Sequence, residues 1–496
     1  MSEENRRTFL KTVGVAVGAA GLTGTGVALA QEDDDSDDGD ETGDVGSWTS
    51  FRGGSARTGA TDDDGPAPYA TTDWSMDAGG ALRVGTRSYV VEPVLHDGTL
   101  YLAVATDTGT YASDGFIAAY DPETGDELWK HTDLPAPKTP TVGNGTLYFG
   151  IDVPGSQAGR PENTLFALDA ETGETKWSRG DHVEWEDPVL VDGHLYTAYS
   201  EYSNESGTVA LDPETGDTVW ETSDVSGEVC YADGTLFVRT GTALNADDGS
   251  VKWTQEMASL EAVHDGLVYG TARRDEEPGY RLHAWSASDG TEQWKQIIPR
   301  DPGEYKITNL AIGNGQVFVF THDGNPDVSS DDVQKLHAFD AETGAPEWTF
   351  ESFASMYGDP VVADGTVYLG GRYAPESEPD PVPANYKAFV YAIDADSGES
   401  EWSYVLDSRN TASTPVASDG KVYVPTFEGD SQYAEYVDSE LFVLEACNER
   451  PDADHRIASD STTDPDDGED GDAGNGGDQD DGSSDDQQGD SDENDC

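Results

Sequence analysis

Residues 211–220 read LDPETGDTVW, and the string returns along the chain: YDPETGDELW at 120–129, LDAETGETKW at 168–177, FDAETGAPEW at 339–348 and IDADSGESEW at 393–402. Looser copies at 244–253 (LNADDGSVKW) and 285–294 (WSASDGTEQW) keep the Gly and the closing Trp. A second motif leads each copy, as in HDGTLYLA at 96–103, GNGTLYFG at 143–150 and ADGTVYLG at 363–370. Its central Gly recurs eight times from Gly98 to Gly420, 322 residues over seven intervals, a period of 46. A repeat of that length is a stacked supersecondary unit. Asp-Gly or Asn-Gly between two short apolar runs is a tight hairpin signal. The D-x-x-T-G turn then joins a third strand to a fourth that ends on Trp. No helical period is sustained between them. The expected fold is all-β, an eight-bladed β-propeller of four-stranded blades.

The eighth copy stops after its third strand, LFVLEA at 441–446, and has no Trp. TTDWSM at 71–76 precedes the first hairpin and carries the missing one. The N-terminal strand is therefore expected in the last blade, closing the ring and removing the open edges that invite aggregation. Trp74, Trp129, Trp177, Trp220, Trp253, Trp294, Trp348 and Trp402 are read as packing between blades rather than as ligand sites.

Of the 496 residues, 100 are acidic and 27 basic, a formal net charge of −73. Such a surface repels nucleic acid and needs salt to screen its own charge. Residues 47–450 alone hold 71 acids against 23 bases, so the propeller itself is acidic and reads as adapted to multimolar salt. Segments 31–46 and 451–496 carry nine and 18 acids with almost no base, and read as disordered linker and tail. At the start, RRTFLK at 6–11 leads a Gly- and Ala-rich uncharged stretch ending in Ala28-Leu29-Ala30. This is a twin-arginine export signal over residues 1–30, with an A-x-A cleavage site. Nothing later is long and apolar enough to span a membrane. Three cysteines are too few for a disulfide framework or a zinc site. Cys230 and Cys447 either pair or stay free and buried.

The A-x-D-x-x-T-G-x-x-x-W unit resembles the repeat of the quinoprotein-type (PQQ-repeat) eight-bladed propellers, and WTSFRGGSARTG at 48–59 is similar to the segment leading into many of them. The resemblance implies one of two functions. One branch comprises PQQ- and calcium-dependent alcohol and sugar dehydrogenases. The other comprises non-catalytic scaffolds, such as the propeller lipoprotein of outer-membrane barrel assembly. Fold does not choose between them. The chain has no adjacent Cys-Cys pair and mostly short connections, both departures from the dehydrogenase pattern. No catalytic residue is assigned, and PQQ is disfavoured.

Five positions before each hairpin Asp or Asn stand Glu92, Thr139, Asp187, Glu228, Leu260, Asn309, Asp359 and Thr414, all expected near the mouth of the central channel. Glu92, Asp187, Glu228, Asn309 and Asp359 offer oxygen ligands of the kind calcium takes. Trp185 is placed to stack a flat cofactor beside such an ion. The function expected is a monomeric, exported scaffold for a protein or cell-surface ligand, with the quinoprotein dehydrogenase as the competing class.

Overall fold

The computed structural model describes residues 48–457 except 85–88, 108–112, 153–159, 273–279, 299–305, 308–309, 323–333, 353, 374–386, 409, 428–438 and 453–454. The signal at 1–30, the linker at 31–46 and nearly all of the tail lie outside the described residues, as do most of the two longest connections, near 323–334 and 373–386. The described part falls within a compact unit, Glu41–Cys496.

Eight antiparallel meanders follow one another. The first runs Val94–His96, Thr99–Asp107, Asp114–Tyr120 and Glu127–Leu134, from the inner strand outward. The hairpin between its inner two strands has both central residues at positive φ, Asp97 at 48° and Gly98 at 68°. That is the turn whose twist matches paired strands, and Asp or Asn followed by Gly tolerates it best. In the next turn Asp121 Oδ1 accepts the backbone N–H of Glu123 (2.9 Å) and Thr124 (3.0 Å), which explains why Asp opens the repeat.

The eighth blade closes as expected. Val416–Ser418, Lys421–Phe427 and Glu440–Cys447 come from the C-terminal side, and Tyr69–Asp77 pairs antiparallel with Glu440–Cys447 as the outer strand. One apolar cluster spans the seam, joining Leu100, Leu102 and Phe116 of the first blade to Tyr423, Leu441 and Val443 of the eighth, with Trp48 buried among them.

The repeated Trp residues form a continuous latch. Each indole N–H donates to a carbonyl of the neighbouring blade: Trp129 to Ala170 (3.0 Å), Trp177 to Pro213 (2.9 Å), Trp220 to Ala246 (2.8 Å) and Trp253 to Ala287 (3.0 Å). Trp294 donates to Ala341 (2.9 Å) and Trp348 to Ala395 (2.8 Å). At the seam Trp402 reaches Pro66 (3.1 Å) and Trp74 reaches Pro122 (3.2 Å). The ring also lies against the turn Gly of that neighbour. A Cβ at Gly173 would sit 2.5 Å from Trp129 Cε3. Gly is thus needed there twice, for its φ of 70° and for space.

The cysteines differ from both alternatives the sequence left open. Cys230 is a buried free thiol, its pKa pushed up to about 12 by burial. Cys447 is disulfide-bonded, and not to Cys230. The two sit in the fourth and eighth blades, so the ring itself separates them.

Candidate functional site on the propeller axis

The segment 48–59 does more than lead into the propeller; it runs around the inside of the channel. The backbone N–H of Leu95 donates to Trp48 O (3.0 Å), Val142 to Thr49 (2.8 Å), Tyr231 to Ser55 (2.8 Å), Val263 to Ala56 (3.0 Å), Ile312 to Thr58 (2.7 Å) and Val362 to Gly59 (2.9 Å). Each donor stands two residues before its hairpin Asp or Asn, so one register is read from six different blades. Ala60–Thr61 then pairs parallel with Val361–Ala363. The eighth blade is met by Asp63, which accepts from Ser418 Oγ (2.9 Å), and by Asp64 O, which accepts from Gly420 N (3.0 Å).

Two arginines complete the plug, both at positive φ, 59° at Arg52 and 54° at Arg57. A bulky residue holds that conformation only where its surroundings over-determine it. Arg52 Nη2 donates to Leu310 O (2.9 Å) and Pro360 O (2.7 Å) in the sixth and seventh blades. Arg57 donates to Val229 O (2.7 Å), Phe51 O (2.9 Å) and Asp187 O (2.7 Å), so the third and fourth blades are tied as well. Glu92 Oε2 accepts from Trp48 Nε1 (3.0 Å) and from the Arg52 backbone N–H (2.7 Å). The carboxylate is fully buried; burial raises its pKa against the pull of the Arg52 guanidinium.

Of the positions found by counting back from the hairpins, Glu92, Asp187, Glu228 and Asp359 lie near enough for their charges to act on one another. Asp359 acts electrostatically on Glu92, and Glu228 and Glu92 both act on Asp187. Adjacent members are bonded: Glu92 N donates to Thr139 Oγ1 (3.1 Å) and Asp359 N to Thr414 Oγ1 (3.0 Å). Leu260 is buried in the apolar cluster around Cys230 and Phe237. Asn309 lies outside the described residues. Glu228 is held by Arg239 Nη1 at 2.7 Å. Among the described residues no group of three or more His, Cys, Asp or Glu is arranged to hold a metal ion.

Trp185 is fully buried. Its Nε1 donates to Thr164 Oγ1 (3.1 Å), His182 meets it edge-on (5.0 Å) and Arg179 covers it at 5.3 Å. The indole has no exposed surface, with the Arg179 guanidinium over the ring and His182 at its edge.

Sequence reasoning missed the bases at the mouth. Lys138 is 3% exposed at its side chain, and its Nζ donates to Trp185 O (2.9 Å) and Glu184 Oε1 (3.4 Å). Beside it Glu186 and Asp187 are raised to about 7 and about 6, chiefly by burial. The spacing of Arg52 and Arg57 in WTSFRGGSARTG was the available signal for the plug. Nothing comparable marked Lys138, which falls in a variable connection.

A family model described as outer membrane protein assembly factor BamB matches residues 70–296, 205–325 and 279–430. The chain belongs to that PQQ-repeat family. It is 24% identical over 345 residues to the outer membrane protein assembly factor BamB of Yersinia pestis, covering 65% of this chain and 70% of that protein. It is 25% identical over 256 residues to the serine/threonine-protein kinase AfsK of Streptomyces coelicolor; that match covers 42% of this chain and 30% of the kinase. Among solved structures, a europium-containing methanol dehydrogenase superposes with a TM-score of 0.56 at 14% identity, covering 81% of this chain and 98% of that one. At that identity the likeness is one of fold.

Proposed function

We propose that this protein is an exported, salt-adapted propeller that acts as a non-catalytic scaffold, holding a protein or cell-surface ligand on its loops in the cell envelope or outside the cell. The observation that carries the reading is the family match over residues 70–430 to an assembly factor, set against a dehydrogenase likeness of 14% identity. Two features support it. The plug ties seven blades and the hairpin of the eighth through one short segment, which makes the ring a rigid platform for its loops. The indole that would stack a cofactor is enclosed. Export is supported by the Arg6-Arg7 signal, and salt adaptation by the acid excess.

The test uses the chain lacking residues 1–30 in multimolar KCl, unfolded thermally with and without PQQ and calcium. The scaffold predicts no shift that requires both, and no dye-linked alcohol oxidation. A ligand at a hundredfold its dissociation constant adds about 2.7 kcal/mol, so a joint shift of a few degrees would overturn the reading in favour of the dehydrogenase. In the producing cell, Arg6→Lys/Arg7→Lys is expected to retain the chain inside. Crosslinking on the surface should capture one recurring protein or ligand with the intact signal only.

A further inference from the structure

A cavity of about 440 Å³ lies between the sixth and seventh blades, lined by Asn314, Gln316, Asp340, Glu347, Asp396 and Ser397. It opens to solvent, for Asn314, Glu347 and Asp396 are exposed, while Gln316 is 5% exposed. Asn314 Nδ2 donates to Asp396 Oδ1 (2.8 Å) and Gln316 Nε2 to Glu347 Oε2, and Gln316 Oε1 meets no donor. Among the described residues no Lys, Arg or His forms an ion pair with Asp340, Glu347 or Asp396.

Three other blades hold a lysine ammonium in this place. In the second, Lys176 precedes the latch Trp177; its Nζ donates to Gly145 O (2.7 Å) and Thr146 Oγ1 (2.8 Å) and stands 3.2 Å from Asp169 Oδ2. In the fourth, Lys252 Nζ donates to Gly234 O (3.3 Å) and Thr235 Oγ1 (2.6 Å). In the eighth the base comes from the facing strand. Lys421 Nζ bonds Asp73 Oδ2, beside the latch Trp74, and Glu123 Oε2 in the turn of the next blade, both at 2.9 Å. The register makes the sixth blade directly comparable. Gln316 pairs with Asp340 as Thr146 does with Asp169, and Trp348 with Ala338 as Trp177 does with Ala167. Glu347 therefore takes the place of Lys176 and Asp73, Gln316 that of Thr146 and Lys421, and Asp396 that of Glu123. The acids are kept, and the lysine is gone.

We propose that the cavity between the sixth and seventh blades, lined by Asp340, Glu347 and Asp396, takes a primary ammonium group from outside the chain, where the second, fourth and eighth blades hold their own lysine. An ammonium is compact and carries three donors that turn freely toward separate oxygens, which is how Lys176 and Lys421 are bound. A divalent metal would need carboxylates gathered at coordination distance, and among the described residues no group of three is so arranged. The same chemistry belongs to a free alkylamine or polyamine and to a lysine side chain of a docked protein.

The site is tested on the full chain in multimolar NaCl at constant ionic strength, by calorimetric titration with n-butylammonium chloride and, in parallel, tetramethylammonium chloride. The second ion has the charge without N–H donors. Saturable binding of one butylammonium is expected, with none for tetramethylammonium. Glu347→Gln and Asp396→Asn should each weaken it about fivefold, as befits an exposed charge contact. Gln316→Lys copies Lys421 into the sixth blade and Glu347→Lys copies Lys176. Either should raise the unfolding midpoint and abolish butylammonium binding, so the test survives if one of them folds poorly. Lys421→Gln is the converse: a lower midpoint and a second butylammonium site. Equal heats for the two cations, undiminished binding in both lysine variants, or no saturable binding would each overturn the site. Loss of binding when KCl replaces NaCl would assign the cavity to potassium and overturn it too. Titration with spermidine and with a capped Gly-Lys-Gly peptide separates the sources. Tighter binding of spermidine assigns the site to a free polyamine, and tighter binding of the peptide to a partner's lysine. None of these readouts depends on the scaffold reading, whose own test turns on PQQ and calcium.

Discussion

Arg52 and Glu92 show why single residues at the axis matter more than their number suggests. Both are almost completely buried, and the acid accepts from the very segment the base belongs to. Arg52→Met removes the cation and leaves a carboxylate in the dry interior, which should cost about 3–5 kcal/mol in denaturant unfolding. Adding Glu92→Gln should recover a good part of that loss, since the stranded charge then disappears. The mouth has its own pH signature. Glu186, Asp187 and Asp152 sit at about 7, 6 and 6, above their unfolded values near 4. The folded state therefore binds more protons than the unfolded state between those limits, and stability falls as pH rises through that window. Unfolding followed from pH 4 to pH 8 in constant salt should show a falling midpoint, with a shallower slope in Glu186→Gln.

At the scale of the strand and turn, the latch of Trp on Gly carries the architecture. Gly145 and Gly173 have nearly the same φ, 67° and 70°, but only Gly173 lies under an indole. Gly145→Ala should cost about 1–2 kcal/mol for its left-handed backbone alone. Gly173→Ala should cost more, because the ring of Trp129 must shift. Trp348→Phe tests the hydrogen bond to Ala395, expected at about 1 kcal/mol, and Trp348→Ala the packing, expected at about 3 kcal/mol. Equal losses in the two Gly variants would mean that the indole is not pressed against the turn. This level was the most legible in the sequence. A hairpin needing two left-handed residues, a turn needing Asp and Gly, and a wedge needing Trp each limit the alphabet at fixed spacing. The axis was half legible. Counting back from Asp97, Asn144 and their equivalents reached Glu92, Asp187, Glu228 and Asp359, whose charges act on one another, because the strands share one register. It did not find which are answered by Arg52, Arg57, Lys138 and Arg239. Those bases arrive from the N-terminal segment and from connections, where no period constrains them.

Over the whole molecule two neighbouring N-terminal segments do separable work. The strand Tyr69–Asp77 completes the last blade, and 48–59 lines the axis. A chain starting at residue 68 keeps the first and loses the second; it should fold with reduced stability and without the aggregation of an open edge. A chain starting at residue 78 exposes the strand Glu440–Cys447 as an open edge and should aggregate, which light scattering during refolding would show. Adding a synthetic peptide of residues 47–77 should suppress that aggregation. Failure of the peptide to do so would mean that ring closure needs the covalent link as well.

That closure sets an order on synthesis. The first residues of the propeller to leave the ribosome pair with some of the last. At about 5–20 residues per second, Tyr69–Asp77 waits on the order of 20–70 s for Glu440–Cys447 to be made. For that interval the nascent chain carries a growing row of blades with an unmatched edge at each end. A cell making this protein must therefore keep those edges apart on neighbouring ribosomes, and slow translation prolongs the hazard even where the finished ring is stable.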